Sequence, residues 1–244
     1  MRSLTSSWVI AVVTAALLGP AWAVTAFAGV SLATPGLATM PPASDFRARV
    51  TNEWFPLVPG TRYVYAGVKD GQPSRDIVAV RRATKTIARV PCVVVSDRLF
   101  IRGRLRERTT DWYSQDTHGN VWYFGEDTAE LDEHGRVTST EGTWQAGVDG
   151  ARAGVYMPAH PRVGMSGLQE YYKGHAEDSF VVIGLFETVT GAVSADALLT
   201  RETTPLEPGV VDHKLYVRGI GTVVEQTVKG GDERNELVSV TRTP

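Results

Sequence analysis

Glu170, His175 and Glu177 are the residues whose types and spacing could do chemistry together, in the run L-Q-E-Y-Y-K-G-H-A-E. If Lys173-Gly174 forms a two-residue hairpin turn, Tyr172 lies opposite His175, Tyr171 opposite Ala176 and Glu170 opposite Glu177. Alternate residues of a strand share a face, so Glu170, Tyr172, His175 and Glu177 would then project together. Two carboxylates and an imidazole on one face suit a divalent cation, or a general acid and base pair. The plainer reading is a solvated face neutralised by Lys173 and nearby arginines, and a turn one residue longer would cancel the pairing. His213, in V-V-D-H-K-L-Y-V, alternates with Val211, Leu215 and Val217 and is expected to face inward. There it is either a hydrogen-bonded core residue or the polar group of a pocket, where it could complete the Glu170, His175 and Glu177 cluster.

A second concentration lies in D-W-Y-S-Q-D-T-H-G-N-V-W-Y-F-G-E-D, residues 111 to 127. Trp112, Tyr113, Trp122, Tyr123 and Phe124 flank a Gly-Asn turn signal and predict a hairpin with cross-strand aromatic pairs. Asp111, Asp116, Glu126 and Asp127 bracket it. Acids beside aromatics could line a carbohydrate or cationic site, although turn formation and core packing account for them equally. No G-x-S-x-G, Walker lysine loop, dinucleotide glycine fingerprint, H-E-x-x-H or C-x-x-C occurs. The single cysteine, Cys92 in V-P-C-V-V-V, excludes an intramolecular disulfide and reads as a small buried hydrophobe.

The elements that must hold these side chains are strands. T-R-Y-V-Y-A-G-V alternates and ends at Asp70-Gly71, a hairpin signal. Runs at 77–80, 90–101, 105–113, 168–172, 196–203, 210–217, 221–228 and 236–241 follow the same grammar, with turns between them. After position 45 no window carries a capped 3.6-residue apolar stripe. Ten to twelve antiparallel strands in one domain predict a mostly β fold, a barrel or strongly curved half-barrel. The glycine-rich stretch Ala146 to Gly167 is expected as one long covering loop, with Tyr156 among the apolar residues it brings down over a pocket. Asn52 to Gly60, opened by two prolines, is an extended lead-in.

From Ser3 to Ser44 the chain has no charged side chain. The 24 basic and 27 acidic residues after it give a formal charge of −3, no reason to expect nucleic acid as a partner. Arg2 and the apolar run 8–18 have the form of a signal peptide over residues 1–28, with cleavage near 23 or 28. Residues 29–51 then read as a flexible tether and 52–244 as a single β domain. Export to the periplasm or outside follows, with no membrane span if the signal is cleaved; the alternative is an anchor through the same apolar segment.

F-P-L-V-P-G-T-R-Y-V-Y, the 111–127 string, E-G-T-W-Q-A-G-V-D-G-A and P-L-E-P-G-V-V-D-H-K together resemble a group of secreted bacterial proteins known only as hypothetical proteins. The resemblance implies export and a shared fold, and brings no activity. L-Y-V-R-G-I-G-T-V-V-E is similar to the closing hairpin of curved-sheet envelope proteins, some of which carry lipids. The leading expectation is non-catalytic binding of an apolar or amphipathic small molecule, lined by Trp112, Trp122, Phe124, Tyr156 and His213, with no cofactor. The alternatives are a carboxylate-based or divalent-metal enzyme using Glu170, His175 and Glu177, and an envelope interaction module without a deep pocket.

Overall fold

The computed structural model describes residues 9–11, 35–190 and 193–243. The expected signal peptide and its cleavage points lie outside them, except for the short strand β1 (Val9–Ala11), which pairs with the last strand of the chain. The remaining strands run β2 (Phe46–Arg47), β3 (Thr61–Lys69), β4 (Gln72–Ile87), β5 (Val90–Ile101), β6 (Arg104–Asp116), β7 (Val121–Leu131), β8 (Val137–Ser139) and β9 (Trp144–Gln145). They continue as β10 (Arg152–Met157), β11 (Ser166–Leu168), β12 (Glu170–Tyr171), β13 (Ser179–Thr190), β14 (Val193–Thr203), β15 (Val211–Val217), β16 (Gly221–Lys229) and β17 (Arg234–Arg242). One short 3-10 turn, Ala43–Asp45, is the sole helical element among the described residues. No described helix is long and apolar enough to cross a membrane.

Every pairing is antiparallel, and the sheet curls nearly into a closed barrel. From β13 the ladder passes through β14, β15, β16, β17, β3, β4, β5, β6 and β7 to β10. Residues 166–171 bridge the two ends. Ser166–Leu168 pair with β13, and Glu170 and Tyr171 pair with β10, leaving one seam that only short ladders span. The Ala146 to Gly167 segment therefore contributes a wall strand at its centre, β10, with loops on either side of it. Its Tyr156 points into the barrel because Val155 sits opposite Trp122 on the outer face.

Local chemistry explains the turns. Asp70 and Gly71 both take positive φ between β3 and β4, and the Asp232 carboxylate accepts their N–H groups at 3.1 and 2.7 Å. In the β6–β7 hairpin the Asp116 carboxylate accepts from the N–H groups of His118 and Asn120, both at 2.9 Å. A bulge leaves Phe124 unpaired, and Gly125 absorbs it at φ 133°. A Cβ there would lie 2.3 Å from the Trp144 carbonyl oxygen, so only glycine lets β9 approach β7.

The bulge hairpin sorts its aromatics onto two faces. Tyr113 stacks on Tyr123 inside the barrel, centroids 4.7 Å apart, and both meet Tyr156 edge-on. Trp122 and Phe124 lie on the other face, under Phe46, at 5.9 and 5.4 Å edge-to-face. Residues 43–51, grouped with the tether by composition, belong to the folded body: Phe46 and Val50 are buried, and β2 pairs with the end of β6. The following lead-in, Asn52 to Gly60, caps one end of the barrel. Asn52 accepts the N–H groups of Trp54 and Phe55 and donates to the carbonyls of Gly119 and Pro158. Glu53 pairs with Arg218, and Tyr63 donates to the Pro56 carbonyl.

Candidate functional site

Beneath that cap lies a cavity of about 140 Å³. Phe55, Pro56 and Leu57 roof it, and Tyr63 and Tyr65 of β3, Tyr113 of β6 and Tyr156 of β10 supply aromatic walls. Its polar groups are Asp76, Asp97, Asp111, Lys214 and Glu225. Strand alternation places them: Tyr63 and Tyr65 share a face, as do Asp111 and Tyr113, and Lys214 and Tyr216. The lumen is thus polar and tyrosine-rich.

Asp76 and Asp97 both line this wall, and each carboxyl acts on the titration of the other. Burial raises both, Asp97 well above the usual carboxylate range, with Asp76 adding to the rise. Asp76 Oδ1 is buried without a hydrogen-bond partner. Burial lifts Asp111 to about 7, against the pull of the Tyr123 hydroxyl, which donates to it at 2.7 Å. Opposite it on β7, Glu126 is raised to about 10 by burial and then by Asp111. Burial alone would lower the Lys214 ammonium, but the carboxylates of Glu202 at 3.0 Å and Glu225 at 3.1 Å outweigh it and hold the charge. Glu202 is further held by the hydroxyls of Thr200 and Tyr216.

A second cavity, of about 340 Å³, lies between Trp112 and Asp127 on the outward side and the loop 143–151. Lys85 sits over the Trp112 ring there, its ammonium 3.3 Å from the centroid, and Tyr172 closes the cleft.

The five expected ligand-lining residues are not brought together. Tyr156 lines the lumen cavity and Trp112 the outer one. Trp122 and Phe124 line neither; they are locked in the outer layer, where the Trp122 indole donates to Asp116 at 2.9 Å. His213 does not face inward: Lys214 occupies the lumen, and His213 sits half-buried on the opposite face across from Arg201 and Gln226. Burial and then Arg201 lower its affinity for a proton. The inversion has a simple cause, a strand whose apolar alternate residues face outward because the interior carries the polar groups.

The expected metal set also separates. The turn holds three residues, with Tyr172 bridged to Ala176, so the two-residue register that aligned Glu170 with Glu177 is shifted by one. Glu170 is 6% exposed and points inward beside Trp144; burial raises it to about 8, with repulsion from Asp178 adding to that. His175 stacks on Tyr172 at 4.4 Å in the open, and Glu177 accepts the Gly174 N–H. Among the described residues no group of three or more His, Cys, Asp or Glu is arranged to hold a metal ion. Cys92 is fully buried, and burial pushes its thiol up to about 12. Of the lumen residues that sequence reasoning missed, Asp76, Asp97, Tyr63, Tyr65 and Lys214, only Lys214 carried a local signal, a base two positions from Tyr216 on one strand face.

No protein-family model matches the chain, and no curated protein does. Solved structures similar to it include a protein of Bacteroides fragilis with a YmcC-like fold, taken to be exported, at 14% identity and a TM-score of 0.41, covering 78% of this chain and 97% of that one. Another is a protein of Parabacteroides distasonis taken to be a lipoprotein, at 13% identity and a TM-score of 0.36, covering 78% of this chain and 96% of that one.

Proposed function

We propose that this is an exported barrel that binds, without transforming it, a small amphipathic molecule in its lumen under the 52–60 cap. The observation that carries the reading is the cavity of about 140 Å³ whose wall combines five aromatic rings with a carboxyl oxygen, Asp76 Oδ1, left without a partner. A barrel interior evolved only for stability would be filled by side chains, since unfilled volume and under-bonded polar groups both cost folding energy. The cap is held by the buried Trp54 and Leu57 and by polar contacts around Asn52 and Glu53. Export is supported by the uncharged, apolar N-terminal segment.

The test is native mass spectrometry of the protein from its own exported fraction, repeated for Val78→Trp, which would fill the cavity. An organic mass present in the wild type and absent from the folded variant is expected. A bound mass that survives Val78→Trp, or no bound mass in any preparation, would overturn the assignment.

One observation favours a second reading. Asp76 and Asp97 both line the cavity wall and burial raises both, and two neighbouring buried carboxyls are a set used for general acid and base work. That reading requires turnover of a lumen-bound ester, amide or glycoside that Asp97→Asn abolishes; binding without turnover in both proteins would remove it.

A further inference from the structure

We propose that the lumen cavity is an aromatic and carboxylate cage for an alkylated ammonium group, so that the small molecule bound there carries a positive charge. The proposal rests on the lumen being a binding site and deepens that reading by naming the chemistry of the head group. Two features of the cavity carry it. Phe55, Tyr63, Tyr65, Tyr113 and Tyr156 converge on one small space from three strands and the cap, and aromatic faces attract cations, most strongly where water is excluded. Asp76, Asp97 and Asp111 open onto the same space.

The charge inventory decides between ligand classes. Lys214 is the cation of this lining, and it is committed to Glu202 and Glu225. It therefore leaves the three aspartates uncompensated. Burial pushes Asp76 and Asp97 toward their neutral forms, and Asp76 Oδ1 is buried without a hydrogen-bond partner. An anionic ligand would be repelled. A neutral one can donate a hydrogen bond to Asp76 Oδ1 but brings no charge to the three carboxyls. An ammonium group supplies that charge, and in a desolvated site a unit charge interacts strongly with each carboxylate. A cavity of about 140 Å³ holds several waters, which is also room for a compact methylated ammonium. A bound cation favours the ionised carboxyls that burial disfavours, so binding should expel a proton.

The experiment is isothermal titration of the full exported chain at pH 8 with choline and with tetramethylammonium chloride. The neutral carbon isostere 3,3-dimethyl-1-butanol serves as the comparison, in two buffers of different ionisation enthalpy. Both cations are expected to bind, the isostere at least about tenfold more weakly, with a buffer-dependent heat that reports proton release. Asp111→Asn and Asp97→Asn, each confirmed folded by circular dichroism, should each weaken choline at least about tenfold, while Phe46→Leu in the outer layer should leave it unchanged.

Equal binding of choline and the isostere, insensitive to both aspartate variants, would overturn the cage while leaving the lumen as a binding site. So would a neutral or anionic molecule recovered from the native protein and lost in Val78→Trp. No binding of any probe together with no native ligand would overturn both.

Discussion

Replacing Asp111 by asparagine should change how stability depends on pH more than it changes stability at any one acid pH. The Asp111 side chain is buried on β6, accepts the Tyr123 hydroxyl at 2.7 Å, and faces Asp76, Glu107 and, across the lumen, Lys214. Burial, opposed by the Tyr123 hydrogen bond, raises its carboxyl from 3.8 to about 7. In the unfolded chain the group loses its proton near pH 4, whereas the folded protein keeps it to about 7. Across that window the folded state binds more protons, so stability falls as pH rises, by about 1.4 kcal/mol per pH unit, and is level above it. Over the roughly three units separating the two values the wild type loses about 4 kcal/mol. Asparagine at the same place still accepts the Tyr123 hydroxyl and has no proton to lose. The stability of Asp111→Asn relative to wild type should therefore climb by about 4 kcal/mol between pH 4 and pH 8, whatever constant offset the amide introduces. Urea unfolding followed by tryptophan fluorescence at each pH measures the difference. Parallel curves for the two proteins, within about 1 kcal/mol, would show that Asp111 titrates as if it were in water and that the lumen is wetter than its geometry implies.

The other predictions concern different parts of the same architecture. Lys214→Met strands the buried Glu202 carboxylate and should cost about 3 to 5 kcal/mol at pH 7 in urea unfolding, with most of it recovered in the Lys214→Met, Glu202→Gln double variant; an unchanged midpoint would contradict the buried Lys214–Glu202 pair. Trp122→Ala should cost about 3 to 5 kcal/mol through the lost outer-layer packing on Phe46 and the lost bond to Asp116, yet leave lumen affinity within about twofold, since its ring lines neither cavity. Gly125→Ala forces a Cβ into the Trp144 carbonyl and should detach β9 from β7, seen as fast hydrogen exchange at the N–H of Ala146, whose bond goes to the Phe124 carbonyl; retained protection there would refute the close approach.

The fold was more legible than the site because hairpin punctuation is local and the contents of a barrel are not. Asp70-Gly71 and the Asp116 to Asn120 turn are written in residues that tolerate positive φ or bond their own backbone, and both hairpins form where those residues stand. Where the turn lacks such residues the reading stopped short. Ala88 and Arg89 both take positive φ between β4 and β5 without a glycine, so the sixteen-residue strand Gln72–Ile87 showed in the sequence only as the fragment 77–80. The Lys173-Gly174 signal was real but one residue too short, and that single residue dissolved the Glu170 and Glu177 pairing.

The contents of the lumen went unread for one physical reason, the assumption that alternating apolar residues mark the inside. On β15 the apolar set Leu215 and Val217 runs with His213 on the outer face, while Lys214 and Tyr216 fill the lumen. On β7 the largest rings, Trp122 and Phe124, pack outward because Phe46 and Val50 come round to cover them, a long-range contact that no local pattern encodes. A barrel covered by its own N-terminal segment can bury apolar side chains outside the sheet as well as in it, which releases the interior to carry charge. Carboxyls in such an interior must be paired, protonated or met by a ligand. Lys214 supplies the first state for Glu202 and Glu225, and burial pushes Asp76 and Asp97 toward the second. The aromatic walls around Asp111 are what make the third chemically accessible.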